Sequence, residues 1–180
     1  EGGLLLGTHW DSRPWADQDP DPQARTRPVL GANDGASSTA MLLALADHLR
    51  ERPPEIPLLL AFFDGEDLGR EGMPEEYLAG SRYFAEHMAS PYPEAAFVLD
   101  MVGSASMVLN VEERSRMLFP EMASLVDRVA AEVGATAFQA GTGPSVHDDH
   151  VPLIEAGLPA LLIIDFRDPV WHTLQDTPAH

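Results

Sequence analysis

Apolar residues follow two rhythms along this chain, short unbroken runs and wider helical spacings. Leu4-Leu5-Leu6 reads as a short buried strand, and Pro57 to Phe63 as a continuously apolar strand covered on both faces, as in a parallel sheet. Ala96 to Leu99 and Pro159 to Ile164 complete the set of strands. Between them the spacing changes. Met41, Leu42, Leu45 and Leu49 recur as on a helix that Asn33-Asp34-Gly35 caps and Pro53-Pro54 ends. A second helix is expected near Ser81–Met88. A third, opened by Pro120-Glu121, carries Met122, Leu125, Val126, Val129 and Val133 on one face, and a short one runs from Asp149 to Ala156. Loops are expected from Trp10 to about Asn33 and from Asp64 to Tyr77, and no internal repeat is visible. Strands alternating with helices predict an α/β fold, a three-layer α/β/α sandwich around a mostly parallel central sheet.

Composition narrows the chemistry. Of 180 residues, 44% are hydrophobic and 30 are Gly or Pro, about 17%, below the roughly 25–30% of low-complexity chains. A core can be buried in what reads as a single domain. The formal charge of −18, with no basic cluster, disfavours nucleic acid and anionic membranes, because binding a phosphate backbone needs clustered cations. The absence of cysteine removes disulfides, thiolate metal sites and cysteine nucleophiles, so any metal must be held by His, Asp and Glu. The apolar runs fall short of the roughly 20 residues that span a bilayer. The chain opens inside an expected strand and stops soon after a motif, which reads as a piece truncated at both ends. Its localisation is left open, extracytoplasmic residence included.

Ligands of open α/β sheets bind outside the carboxyl ends of the strands. His9 follows the first apolar run, Asp64-Gly65-Glu66-Asp67 the second, Asp100 the third, and Trp171-His172 sits in the loop after the last. Asp34 opens the first helix and can share that rim. Each has an ordinary reading alone: a loop histidine, a helix cap at Asp34, an acidic loop, a capping turn at Asp148-Asp149-His150, a packed Trp171. Their coincidence at one edge, without cysteine, points to a metal site of His nitrogen and carboxylate oxygen. Glu66 and Asp67, adjacent in a loop, suit a division of labour in which one binds metal and the other moves protons.

The motifs His9-Trp10-Asp11-Ser12, Gly31-Ala32-Asn33-Asp34-Gly35-Ala36-Ser37, Phe62-Phe63-Asp64-Gly65-Glu66-Asp67, Ala79-Gly80-Ser81-Arg82, Leu99-Asp100-Met101-Val102-Gly103, Asp148-Asp149-His150-Val151-Pro152 and Val170-Trp171-His172-Thr173 occur in this order. The set resembles the zinc aminopeptidase superfamily and, within it, the glutaminyl-peptide cyclotransferases of bacterial type, over nearly the whole chain. The resemblance implies that Asp34, Asp67 and His172 are zinc ligands and that Glu66 is the catalytic acid/base. It implies that Asp100 and Asp148 hydrogen-bond in the active site and that Trp171 walls the substrate pocket. His9 matches a histidine that binds a second metal, together with Asp100, in the two-zinc aminopeptidases. Fifteen positions separate Glu66 from Ser81, an interval similar to the cyclotransferase loop, and Trp171 directly before His172 also resembles that branch. Asp67 stands where animal cyclotransferases usually have Glu, and the loop after it lacks their tryptophan.

What the resemblance implies is a single catalytic domain over residues 1–180. It would bind one zinc and act on peptide or protein N-termini, closing an N-terminal glutamine to pyroglutamate with loss of ammonia. The alternative is a two-zinc aminopeptidase, in which His9 and Asp100 also bind metal and Asp34 bridges. A third reading is a metal-binding or interaction domain without catalysis. The sequence leaves the oligomeric state open.

Overall fold

The computed structural model describes residues 2–90 and 92–180. Six strands form one sheet: β1 (Leu4–His9), β2 (Leu58–Phe63), β3 (Ala95–Asp100), β4 (Leu109–Val111), β5 (Phe138–Thr142) and β6 (Ala160–Ile164), in the spatial order β2-β1-β3-β6-β4-β5. β1 pairs in parallel with β2 and β3, β3 with β6, and β4 with β5; β4 runs antiparallel to β6. The helices are α1 (Ala36–Glu51), α2 (Ala79–His87), α3 (Glu113–Leu118), α4 (Pro120–Glu132) and α5 (His150–Glu155), with a 3-10 turn at Pro74–Glu76.

Strand alternation sorts the side chains into two layers. On one face Leu5, Val98, Leu162 and Ile164 meet Phe84 of α2 and Leu153 of α5. On the other, Phe97, Leu161 and Ile163 meet Met122, Ala123 and Val126 of α4. α1 covers that second face beside β1, where Thr8 Oγ1 donates to Ser38 Oγ at 2.6 Å. The expected three-layer sandwich is therefore present. Each fully buried Leu or Ile adds roughly 1.5–3 kcal/mol.

Differences from the sequence reading lie at the sheet margins. β4, α3 and β5 were not foreseen, because Leu109–Val111 is too short to show a period and β5 is almost wholly exposed. β2 is not covered on both faces: it ends the sheet, and Leu59 and Phe62 are exposed. In α4, Leu125 and Val129 are exposed, as is Val133 just past its end, since the contact with the sheet is made by the neighbouring stripe through Ala123.

The order of connection matters for function. The chain leaves β1 for β2 on one side and returns to place β3 on the other, so the topological switch point lies between the carboxyl ends of β1 and β3. His9 and Asp100 are the last residues of those two strands.

Candidate metal centre and active site

His9 and Asp100 meet across the switch point, with Nε2 3.0 Å from Oδ1. The same Nε2 is 3.2 Å from Asp34 Oδ1, while Asp34 Oδ2 is 3.4 Å from His172 Nε2. His172 Nε2 in turn lies 3.2 Å from Asp67 Oδ1. Two groups therefore offer converging ligand atoms, Asp34–Asp67–His172 and His9–Asp34–Asp100, each with its ligand atoms within 4.8 Å of one another. Asp34 belongs to both. All five side chains are buried.

Local structure aims each of them. α1 is preceded by Gly35 at φ 89°, without a side-chain cap, so the Asp34 carboxylate faces the histidines instead of capping the helix. A Cβ at Gly35 would lie 2.4 Å from the Asp11 carbonyl and 3.1 Å from the His9 ring, which is why only glycine fits. Asp176 accepts from the backbone N–H groups of Asn33 and Asp34 at 2.7 and 3.1 Å. Asp11 does the same for Glu66 and Asp67, at 3.1 Å each. Gly65, at φ 72°, turns the chain into that loop. Among the described residues three that are not glycine have left-handed backbone, Leu78, Met101 and His172, at φ 60°, 51° and 54°. Met101 directly follows Asp100, His172 belongs to the site, and the Leu78 N–H donates to the Glu66 carbonyl. Such a conformation costs about 1–2 kcal/mol per residue, and it persists here because surrounding contacts hold it.

The electrostatics fit a cation. Two buried carboxylates share His172: burial and then the Asp34 charge push Asp67 above the usual aspartate range. Asp34 is held low despite its burial by hydrogen bonds from His172 and His9. Burial opposes charge on His172, yet Asp34 and Asp67 outweigh it and raise the imidazole to about 9. Asp67 Oδ2 is buried without a hydrogen-bond partner among the described residues. An unpaired carboxylate oxygen beside a second carboxylate and an imidazole is the donor set that zinc accepts.

A cavity of about 390 Å³ opens over these residues. Glu66, Asp67, Asp100, Asp148, Trp171 and His172 line it. Glu66 is pushed well above the ordinary glutamate range by burial and then by Asp67. Burial and the Asp100 charge raise Asp148 to about 7; burial raises Asp100 to about 6 against the pull of His9. Trp171 stacks on the His172 ring at 3.9 Å and meets Phe166 edge-on at 4.9 Å, giving the cavity an aromatic wall.

His9, Asp34, Glu66, Asp67, Asp100, Asp148, Trp171 and His172 thus gather at one site, whereas Asp64 is exposed and His150 faces Glu112 at 3.2 Å. The sequence reading missed those that hold them: Asp11 and Asp176 at the backbone, Arg13 and Asp17 behind Asp67 and His172, and Asp168, whose Oδ2 accepts from the Asn33 side chain at 2.6 Å. The signal for them was the density of charged residues in the loop after β1 and in the segment after β6.

This fold and site define the class of protein. The pattern of peptidase family M28 matches residues 1–180, and the chain belongs to that family. Within it, the bovine glutaminyl-peptide cyclotransferase is 29% identical over 96% of this chain and 55% of its own length. Among solved structures, the glutaminyl cyclase of Bacteroides thetaiotaomicron bound to N-acetylhistamine superposes with a TM-score of 0.94 at 31% identity. A leucine aminopeptidase precursor from the same organism gives 0.93 at 32%. Each superposition covers 99% of this chain and 66% of the other. The chain spans about half the length of the curated relatives it matches.

Proposed function

We propose that residues 1–180 form the zinc-dependent catalytic domain of a glutaminyl-peptide cyclotransferase acting on peptide or protein N-termini. The observation that carries this reading is the Glu66 carboxyl placed beside the Asp34–Asp67–His172 cluster, in a cavity walled by Trp171. The relatives named as cyclotransferases and cyclases support it.

Asp34, Asp67 and His172 are the residues that would hold one zinc ion, which when bound supplies Lewis-acid polarisation of the glutamine side-chain amide. Glu66 takes a proton from the α-amine as it attacks the amide carbon and returns one to the departing ammonia. Atoms balance: the ring C–N bond forms, the amide C–N bond breaks, and pyroglutamate and ammonia leave. Asp148 and Asp100, on the same cavity wall, orient the amine by accepting its hydrogen bonds. Trp171 packs the apolar part of the glutamine side chain, and holding the two ends of one residue together removes much of the entropic barrier to closure.

The resemblance to the one-zinc cyclotransferases favours one metal, with His9 Nε2 and Asp100 Oδ1, 3.0 Å apart, then holding each other. One feature favours two: the separate oxygens of Asp34 reach His9 and His172, as a bridging carboxylate does. In that second reading the site is a two-zinc aminopeptidase in which Glu66 activates water. Metal analysis separates them. About one zinc per protein chain is expected, and about two, lost together on replacing His9 or Asp100, would overturn the one-zinc reading.

A further inference from the structure

Behind the metal-facing side of His172 lies a charged assembly that the proposed chemistry does not use. Arg13 is 2% exposed although its guanidinium is always charged. It is fully engaged. Nη1 donates to the backbone carbonyls of Asp67 and Gly69 at 2.8 and 2.6 Å, and Nη2 to Tyr77 Oη at 3.1 Å. Nη2 and Nε grip the two oxygens of Asp17, at 2.6 and 3.4 Å. The rings of Trp15 and Tyr77 flank the guanidinium, 5.4 and 5.3 Å from its carbon.

Asp17, gripped in this way, sets Oδ1 3.2 Å from Nδ1 of His172, the ring nitrogen that faces away from Asp34 and Asp67. The next residue holds the same histidine by its backbone: the Gln18 N–H donates to the His172 carbonyl at 3.2 Å. Asp19 Oδ2 accepts from Leu174 N–H at 3.0 Å, extending the clamp along the loop. His172 occupies a strained left-handed backbone, so its ring direction depends on such outside contacts.

We infer that Arg13 and Asp17 are a positioning pair for the metal centre: Asp17 keeps the proton of His172 on Nδ1, which leaves Nε2 to face the cation site, and Arg13 locks that carboxylate to the Asp67 peptide. One buried guanidinium thereby ties two ligands 105 positions apart in the chain to a common frame. A carboxylate behind a ligand imidazole fixes its tautomer and orientation, and losing such a partner costs about 10–100-fold in metal affinity. The inference rests on the proposal that His172 and Asp67 hold zinc.

The test is competition for zinc against a chromophoric chelator, run on the wild-type protein and on the variants His172→Ala, Asp17→Ala, Asp17→Asn and Asp21→Asn. Asp21 is an exposed carboxylate of the same loop and serves as the control. Asp17→Ala is expected to weaken zinc binding about 10–100-fold, with Asp17→Asn between it and wild type and Asp21→Asn unchanged. The circular dichroism spectrum of zinc-free Asp17→Asn is expected to match that of zinc-free wild type, which separates positioning from unfolding. Arg13→Lys keeps the charge but cannot grip two oxygens and two carbonyls together, so it is expected to lose zinc affinity in the same direction. Wild-type affinity in both Asp17 variants, while His172→Ala loses the metal, would overturn the inference alone. Zinc held equally well by His172→Ala would overturn the reading of the site and the inference with it.

Discussion

Burial and the neighbouring Asp67 carboxylate both raise Glu66 above the ordinary glutamate range, toward the working range of a group that takes up and returns a proton. Asp67 lies against His172 and offers a second, unpaired oxygen. The two adjacent acids are therefore separated in role by direction rather than by type. Replacing Glu66 with Gln keeps the shape and removes the proton carrier. Turnover is expected to fall by about 10²–10⁴-fold, the range of general acid–base catalysis, with zinc content unchanged. Metal analysis and a progress curve on one sample check both, and retained turnover would remove Glu66 from the reaction. At this scale the sequence was informative where one motif held both a strand end and an acid, as at Asp100 and Glu66-Asp67. It was ambiguous at Asp34, which the pattern alone allows as a helix cap. The structure resolves that position by giving α1 an uncapped glycine start and turning the carboxylate toward the two histidines.

Helices and strands here act as carriers that place loops. α3 shows it most clearly. Glu112 caps it by accepting from the N–H groups of Arg114 and Ser115, at 2.9 and 2.7 Å, and lies 3.2 Å from His150 Nε2 at the start of α5. Both side chains are fully buried, so this contact fixes the turn carrying Asp148 to the margin of the sheet. Burial opposes the Glu112 charge, but His150 and the two backbone donors outweigh it and hold the group down at about 2, against an ordinary value of 4.5. Because the folded form holds its proton less tightly than the unfolded one, the contribution is complete above pH 4.5 and fades as pH falls toward about 2. Denaturant titrations are expected to show Glu112→Gln less stable than wild type at neutral pH by about 1–3 kcal/mol, the scale of hydrogen bonds to a charged group, and to converge on acidification. A difference that stays constant with pH would contradict the assignment. None of this was legible beforehand. Leu109–Val111 is three residues long, and a buried Glu and His read in sequence as ordinary polar positions. The apolar runs that became β1, β3 and β6 were legible because parallel strands covered on two faces are apolar without interruption, whereas Asn110 breaks the run in β4.

For the molecule as a whole, topology does the gathering. His9, Asp34, Asp67, Asp100 and His172 come from five separate stretches, and parallel pairing of β1, β2, β3 and β6 brings their carboxyl ends to one rim. That convergence was readable from the alternation of strands and helices. The charged clamps behind it, Asp11, Arg13, Asp17 and Asp176, were not, because hydrogen bonds between distant loops leave no periodicity. A site that packs carboxylates together is stabilised by its cation. At zinc concentrations about 100-fold above Kd the folded state is expected to gain about 2.7 kcal/mol, so chelation lowers the melting temperature and Asp67→Asn reduces that dependence. A melting temperature indifferent to chelator would mean that no cation couples to this fold. Solubility is the simpler account of the net charge of −18, and attraction of a protonated peptide amino terminus the second.

The most direct measurement is the mass of a glutamine-headed peptide after incubation with the zinc-loaded protein. The peptide is expected to stay whole and lose one ammonia, with no loss from a matched peptide headed by alanine. Release of free glutamine, leaving a peptide shorter by its first residue, would contradict cyclisation and assign the same residues to hydrolysis.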